Sequence, residues 1–218
     1  MKKIFLFLSL VMISSVLFSQ ESKISVGLQF APSVTSIRGN SMIDKYDNRF
    51  VISPGLTFDY HITQNLSFNS GLAFERKGAK TEILLTDITG VPIGNHEVKF
   101  NYDYLTLPLM ATYNTNGKVR FYIGGGTFLG FLISQKFVFR AIEGSSKETE
   151  DNTDNTKRID IGLSLITGVN IPMTDNLTLD LGLRDYLGLI NTSKVTTLND
   201  GSIKTNSFSI VLGLKYKI

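Results

Sequence analysis

Strict alternation of apolar and polar residues is the feature that most limits what this chain can fold into. After residue 22 the alternation recurs in about eight runs separated by turn residues, and helical spacing of apolar residues is rare. In the last run, Phe208, Ile210 and Leu212 share one face, whereas Ser207 and Ser209 lie on the other. The sequence therefore predicts an all-β protein. The predicted strands are 22–31, 50–61, 66–77, 101–113, 119–133, 158–171, 177–188 and 206–218.

The connections between the predicted strands alternate in length. Those after the second, fourth and sixth strands are short, and the fourth strand is followed by Asn116-Gly117, a pair suited to a type I′ turn. Those after the odd-numbered strands are long and polar. Short turns at one end and long loops at the other are typical of an outer-membrane β-barrel. The sequence predicts an eight-stranded antiparallel up-and-down transmembrane β-barrel, with both termini in the periplasm.

Alternation alone does not say which face is inside, because a soluble ligand-binding barrel alternates in the opposite sense. The positions of the glycines favour one orientation. The interior of an eight-stranded barrel is only wide enough for side chains to fill it, so small residues belong on its inner wall. The apolar face is therefore expected to contact outer-membrane lipid. The glycines on the polar face are Gly27, Gly55, Gly71, Gly124, Gly126, Gly162, Gly168, Gly182 and Gly213.

The apolar face carries aromatic residues near both of its ends and one charge. Tyr60 and Tyr216 near one end, and Phe131 and Phe208 near the other, are expected to form the aromatic girdles of the two membrane interfaces. Asp185 has the parity of the same face. The sequence predicts either that Asp185 lies high in the bilayer or that a β-bulge turns it inward.

The first twenty residues have the features of a cleaved secretory signal. Lys2 and Lys3 precede an interrupted apolar run, and Ser19 offers a small residue for cleavage. The alternative is an N-terminal membrane anchor, for which the run is short. We expect residues 1–20 to be the signal peptide and residues 21–218 to be the barrel domain.

Charge and composition exclude several functions. Removal of the two leader lysines lowers the formal net charge from +3 to +1, which leaves no basic footprint for nucleic acid. The chain has no Cys, so disulfides, thiolate metal sites and a Cys nucleophile are excluded. The sequence also lacks phosphate-binding loops, dinucleotide fingerprints and metal-ligand clusters, so we expect no cofactor and no metal.

Several short segments carry a family resemblance. They are Pro54-Gly55-Leu56, Leu66-Ser67-Phe68, Gly71-Leu72-Ala73-Phe74-Glu75-Arg76-Lys77-Gly78, Tyr104-Leu105-Thr106-Leu107-Pro108-Leu109 and Gly182-Leu183-Arg184-Asp185-Tyr186-Leu187-Gly188-Leu189. In this order they resemble the PorT-like outer-membrane β-barrel family, over essentially the whole mature chain. The resemblance implies an outer-membrane porin-type barrel with a role accessory to protein secretion. The C-terminal Gly213-x-x-Tyr216-x-Ile218 resembles the β-signal read by the outer-membrane assembly machinery, which implies that machinery as a partner.

Charged residues on the polar face are expected to project into the lumen. Unpaired charges in a narrow lumen are costly, so a salt-bridged structural plug is favoured over a gated conduction path. Lys77, Lys217 and three tyrosines share this face. The network that we expect consists of Asp59, Glu75, Arg120, Asp160, Asp180, Arg184 and Lys215.

A barrel enzyme acting on membrane lipid would need Ser or His within reach of a carboxylate. The two histidines are His61, at the end of the second strand, and His96, in the second long loop, so we expect them to lie far apart. His61 lies two residues from Asp59 on one face, which is a weak sign of a dyad. We expect no enzyme.

Two long loops are candidate contact sites. Residues 140–157 hold several carboxylates without the spacing of a calcium loop, so a solvated, mobile loop is expected. Residues 81–100 contain the apolar run Ile83-Leu84-Leu85 and a Gly90 suited to a turn. The third and fourth strands are therefore expected to continue above the membrane, where their edges would pair with an envelope protein.

The sequence thus indicates an integral outer-membrane barrel with a structural or interaction role. The resemblance adds protein secretion or envelope assembly to that role. The alternatives are a narrow porin-like channel, a lipid-modifying barrel enzyme, and a soluble lipocalin-like periplasmic protein that binds an apolar ligand.

Overall fold

A computed structural model describes residues 23–218 apart from 87, 142–146 and 196–200. The predicted signal peptide lies outside the described residues. The strands are Ile24–Arg38 (β1), Arg49–His61 (β2), Leu66–Thr86 (β3), Pro92–Asn114 (β4), Arg120–Ala141 (β5), Lys147–Asp151 (β6), Ile159–Pro172 (β7), Leu177–Gly188 (β8) and Lys204–Lys217 (β9), with short 3-10 turns at Ile43–Lys45 and Thr153–Asn155. No helix in the described part of the chain is long and apolar enough to cross a membrane.

Eight of these strands close into one antiparallel ring. Consecutive strands pair from β1 to β5, β7 follows β5, and β9 pairs back with β1. β6 lies outside the ring and pairs with the last part of β5. The predicted eight-stranded up-and-down barrel is therefore confirmed. We call the end with the short connections the turn end, and the opposite end the loop end.

The polar face of the barrel is buried and the apolar face is exposed. In β9 the side chains of Ser207 and Ser209 are buried, whereas Phe208 and Leu212 are 47% and 43% exposed. This arrangement places lipid-compatible side chains on the outside. It is the opposite of what a soluble ligand-binding barrel requires.

Inward-facing glycines make room for aromatic rings. A Cβ atom on Gly168 would lie 2.6 Å from the hydroxyl of Tyr122, and one on Gly162 would lie 2.5 Å from the ring of Phe128. Such contacts are too short to be tolerated in a packed interior. The two glycines lie on β7, directly beside the two rings on β5, and their lack of a side chain allows the rings to fill the lumen.

Four strands extend further at the loop end than the sequence predicted. β1 continues beyond Pro32, and β5 continues beyond residue 133. β3 and β4 contain 21 and 23 residues, whereas a membrane-spanning strand needs only about 9–11. The excess forms the hairpin that the sequence predicted. We call the sheet made of residues 79–86, 92–100, 135–141 and 147–151, together with the described turn residues 88–91, the arm.

The acidic stretch 140–157 differs from the expected loop. Lys147–Asp151 forms β6, which pairs with β5 through Arg140↔Lys147 and Lys136↔Asp151. Its five side chains are all exposed. The sequence KETED has no apolar alternation. Hydrogen bonding to the edge of β5 therefore accounts for this strand, and the residue pattern of β6 does not predict it.

Asp185 keeps the parity of the lipid face. It pairs with Leu165 on β7 and with Phe208 on β9, and both registers run without a shift. The alternative of an inward-turning bulge is therefore wrong. Asp185 lies half-buried beside Phe208 on the outer wall.

Candidate functional site

The lumen is filled by three layers of paired charges, and the first lies towards the turn end. Lys215 Nζ lies 2.7 Å from Asp59 Oδ2 and 3.0 Å from Asp180 Oδ2. The Tyr122 hydroxyl donates to Asp180 Oδ1 at 2.7 Å, and the Asn69 amide donates to Asp59 Oδ1 at 2.6 Å. The ammonium of Lys215 on β9 therefore joins a carboxylate from β2 to one from β8. These two strands are separated in the ring by β1 and β9.

The second layer is built around Arg184 of β8. Its guanidinium donates to Glu75 Oε1 at 3.2 Å and to Gln29 Oε1 at 3.1 Å. The guanidinium carbon also lies 4.6 Å from the ring centroid of Tyr186. These contacts connect β8 to β3 and β1 across the interior, so they hold strands together that are not neighbours in the ring.

The third layer holds Lys77 of β3. Its Nζ lies 3.1 Å from Asp160 Oδ2, and the side chains of both residues are fully buried. Thr205 Oγ1 donates to the same carboxylate oxygen at 2.6 Å. The ammonium also lies 3.9 Å from the ring centroid of Phe128. Aromatic faces attract a cation within about 6 Å, so Lys77 is held by one anion and by the surrounding rings.

An apolar cluster closes the lumen above the third layer. It consists of the buried side chains of Ile37, Ile43, Ala79, Tyr102, Tyr104 and Leu132, with Tyr46, Phe100 and Ile203 packed against it. Ile43 comes from the connection between β1 and β2, which folds back over the barrel. The loop end is therefore sealed by hydrophobic packing as well as by ion pairs.

A small cavity lies inside the described part of the barrel, towards the turn end. Its volume is about 40 Å³, and it is lined by residues of the first two layers and by His61, Pro108, Thr112 and Tyr122. A single water molecule needs about 10–15 Å³ on the same measure. The cavity therefore has the size of a few water molecules and not of an organic ligand.

The expected lumen network differs from the observed one at one residue. Arg120, at the start of β5, is half-buried and joins none of the ion pairs among the described residues. Lys77, which shares the polar face and is expected in the salt-bridged plug, also belongs to the observed network, and its side chain is fully buried. Asp59, Glu75, Asp160, Asp180, Arg184 and Lys215 all lie in the three layers.

The imidazole of His61 is hydrogen-bonded to two serine hydroxyls, whereas the dyad suggested by the sequence would pair it with Asp59. Its Nδ1 lies 2.9 Å from Ser67 Oγ and its Nε2 lies 3.2 Å from Ser25 Oγ. Asp59, in turn, is bound by Lys215 and Asn69. The described residues contain no group of three His, Cys, Asp or Glu side chains that could hold a metal ion. The two hydrogen bonds of His61 on β2 connect it to Ser25 on β1 and Ser67 on β3 at the turn end.

The arm presents a second surface, outside the barrel. At its tip, Leu84, Ile88 and Val91 are 57%, 105% and 56% exposed. One edge of β3 pairs with β4. On its other edge, the last backbone pairing among the described residues is the bridge between Lys80 and Asp47. Residues 81–86 of β3 therefore form an open strand edge.

The geometry described above agrees with a comparison to known protein families. Residues 18–194 match the family described as the outer membrane protein beta-barrel domain. The chain belongs to this family. Membership of this outer-membrane β-barrel family, together with the exposed apolar wall, places the protein in the outer membrane.

Several solved structures are similar to this chain, and the first of the three named here shares its fold. Neisserial surface protein A is 18% identical with a TM-score of 0.52, over 90% of this chain and 98% of that one. Ail, the attachment invasion locus protein of Yersinia pestis, is 14% identical with a TM-score of 0.42, over 88% and 98%. OprG from Pseudomonas aeruginosa is 14% identical with a TM-score of 0.40, over 89% and 95%. No curated protein matches the sequence.

Proposed function

We propose that this outer-membrane β-barrel is an interaction protein, in which the barrel is the anchor and the arm binds a protein partner. The observation that carries the proposal is the arm itself, because β3 and β4 are about twice as long as a membrane crossing requires. Exposed apolar residues at the tip of such an extension are typical of interaction sites. The filled lumen argues against a channel as the main function.

The partner that fits this surface is an extended polypeptide segment. The open edge of β3 offers unpaired backbone groups, and strand addition at such an edge is a recurring mode of peptide recognition. The other edge of the arm, β6, carries four charges in five residues, and charged side chains protect an edge from pairing. The partner strand is therefore expected at β3.

The proposal includes an orientation. In outer-membrane barrels the short turns face the periplasm and the longer loops face outward. The turn end and both termini are accordingly proposed to lie in the periplasm. The arm then lies at the cell surface.

The family resemblance gives the proposal a narrower form. The PorT-like segments include Gly71 to Gly78, which lie in β3 directly below the arm. A protein partner at the arm would accord with an accessory role in protein secretion or envelope assembly.

Site-specific photo-crosslinking in living cells tests the proposal. A photoreactive residue is placed in turn at positions 81 to 86 of β3, and at Met173 in a turn-end connection as the control. Strand addition predicts one protein adduct that forms at alternate positions along β3, because successive side chains point to opposite faces. The control position is expected to give none.

A charge variant makes the test specific. The double substitution Leu84→Glu, Ile88→Glu is expected to remove the adduct, and the matched exposed substitution Met173→Glu is expected to leave it unchanged. An adduct that is independent of position, or one that survives the double substitution, would contradict a partner at the arm.

A further inference from the structure

Two pairs of cations lie directly opposite each other on neighbouring strands. Arg38 of β1 pairs with Lys204 of β9, and Lys80 of β3 pairs with Lys99 of β4. Like charges in directly opposed positions destabilise a sheet. A nearby anion relieves this repulsion, and the two pairs differ in the group that lies close enough to do so.

The pair in the arm has its own carboxylate. Glu97 lies 2.7 Å from Lys99 Nζ and 3.5 Å from Lys80 Nζ. A hydrogen bond from Lys99 holds the pKa of Glu97 below its usual range. The protein itself thus neutralises this cation pair.

Among the described residues, the pair on the barrel wall has no carboxylate in direct contact, although Asp185 lies near enough to attract Arg38 electrostatically. Within the described part of the chain, neither Arg38 nor Lys204 has a carboxylate within 4.0 Å. Arg38 Nη2 donates to the backbone oxygen of Gly188 at 2.7 Å, and Arg38 Nε is buried without a hydrogen-bond partner. The Gly188 contact fixes the guanidinium on the barrel wall beside Lys204.

The position of this pair matches the headgroup region of a membrane. Arg38 and Lys204 have outward parity, four residues beyond the exposed Val34 and Phe208, which themselves pair with each other. At about 3.3 Å per residue and a tilt of about 40°, this offset is roughly 10 Å along the membrane normal. The cations thus lie just beyond the apolar zone.

We propose that Arg38 and Lys204 bind the phosphate group of a lipid headgroup in the leaflet at the loop end. A phosphate accepts hydrogen bonds from both the guanidinium and the ammonium, and Arg suits phosphate geometry especially well. The bound phosphate compensates the cation pair in the way that Glu97 compensates Lys80 and Lys99. This lipid site is independent of any partner at the arm.

Native mass spectrometry of the folded, detergent-purified protein tests the site. The probes are bis-phosphorylated lipid A, its phosphatase-treated form and inorganic phosphate. The double variant Arg38→Gln, Lys204→Gln is compared with the matched variant Lys80→Gln, Lys99→Gln. Heat-dependent gel migration shows that each variant is folded, and Lys204→Gln alone retains the Arg38 contact to Gly188.

The wild type is expected to bind the phosphorylated lipid about 20-fold more tightly than the treated lipid, and the Arg38, Lys204 variant is expected to lose this preference. The Lys204 single variant should lose part of the preference, and the arm variant should retain all of it. Equal binding by all variants would overturn the proposal. Displacement of the lipid by an equal concentration of inorganic phosphate would also overturn it, in favour of a free anion.

Discussion

Lys77 shows how a charge is accommodated inside a narrow barrel. Among the described residues its ammonium pairs with one anion, Asp160, and the ring centroids of Phe128, Tyr104 and Tyr186 lie 3.9, 5.5 and 5.7 Å away. Burial of an ion pair costs several kcal/mol per ion before the attraction is counted. The rings offset part of that cost because their faces are negative.

Substitution Lys77→Met is expected to lower the free energy of unfolding by about 3–5 kcal/mol, because it leaves Asp160 buried without a cation. The double substitution Lys77→Met, Asp160→Leu is expected to recover most of this loss, since no uncompensated charge remains. Urea unfolding followed by circular dichroism, with the barrel in detergent micelles, measures both values. A double variant no more stable than Lys77→Met would show that the pair is needed for more than charge balance.

The sequence predicts which residues face the lumen but not which of them pair. Alternation places Lys77 and Asp160 on the inner face, because side chains in a strand alternate with a period of two. The two residues are 83 positions apart, on β3 and β7, which are not neighbours in the ring. Their contact depends on strand register and barrel closure, and neither is encoded in the local pattern.

At the level of the strands, a proline explains why the first predicted strand is too short, since the prediction ended it at residue 31, directly before Pro32. Pro32 pairs with Ile52 of β2, while the register with β9 is interrupted between Phe30 and Ser33. Pro108 likewise pairs with Phe128 of β5, while the ladder to β3 is open opposite it. A proline removes one ladder hydrogen bond and usually marks a strand end. In a closed barrel each strand has two neighbours, so the strand continues on its other side.

The last strand combines a structural and a proposed targeting role. β9 closes the ring by pairing with β1 and β8, and the Ile218 N–H donates to the Ile24 oxygen at 3.0 Å. Tyr216, the central residue of the proposed assembly signal, is 52% exposed on the outer wall. An exposed side chain contributes little packing inside the barrel, so its loss separates targeting from stability.

Tyr216→Ala is expected to reduce the amount of folded protein in the outer membrane several-fold while leaving refolding of the purified chain in detergent almost unchanged. Phe121→Ala is the matched control, because Phe121 is also an exposed aromatic residue near the turn end, at 62%. Heat-dependent gel migration measures the folded fraction in both experiments. Equal effects of the two substitutions in cells would indicate a general role of the aromatic girdle, and no specific assembly signal.

For the whole molecule, the buried charged groups favour a barrel that acts as a membrane anchor over one that acts as a pore. Four carboxylates, Asp59, Glu75, Asp160 and Asp180, face three cations, Lys77, Arg184 and Lys215, inside the ring. These groups are fixed by one another and covered at the loop end by the apolar cluster. An eight-stranded barrel has only enough interior for such side chains. The arm, which lies outside this packed interior, is therefore the surface that we propose for a protein partner.

Planar-bilayer recording tests this division of roles. The wild-type barrel is expected to show no steady pore conductance, because the three layers and the apolar cluster fill its cross-section. The variant Glu75→Ala, Lys77→Ala, Asp160→Ala, Arg184→Ala removes two cations and two anions, so it keeps the net charge while emptying the second and third layers. This variant is expected to conduct, provided that heat-dependent migration shows it to be folded. Steady conductance by the wild type would instead favour the narrow-channel alternative, since ions would then pass between charges that this structure pairs.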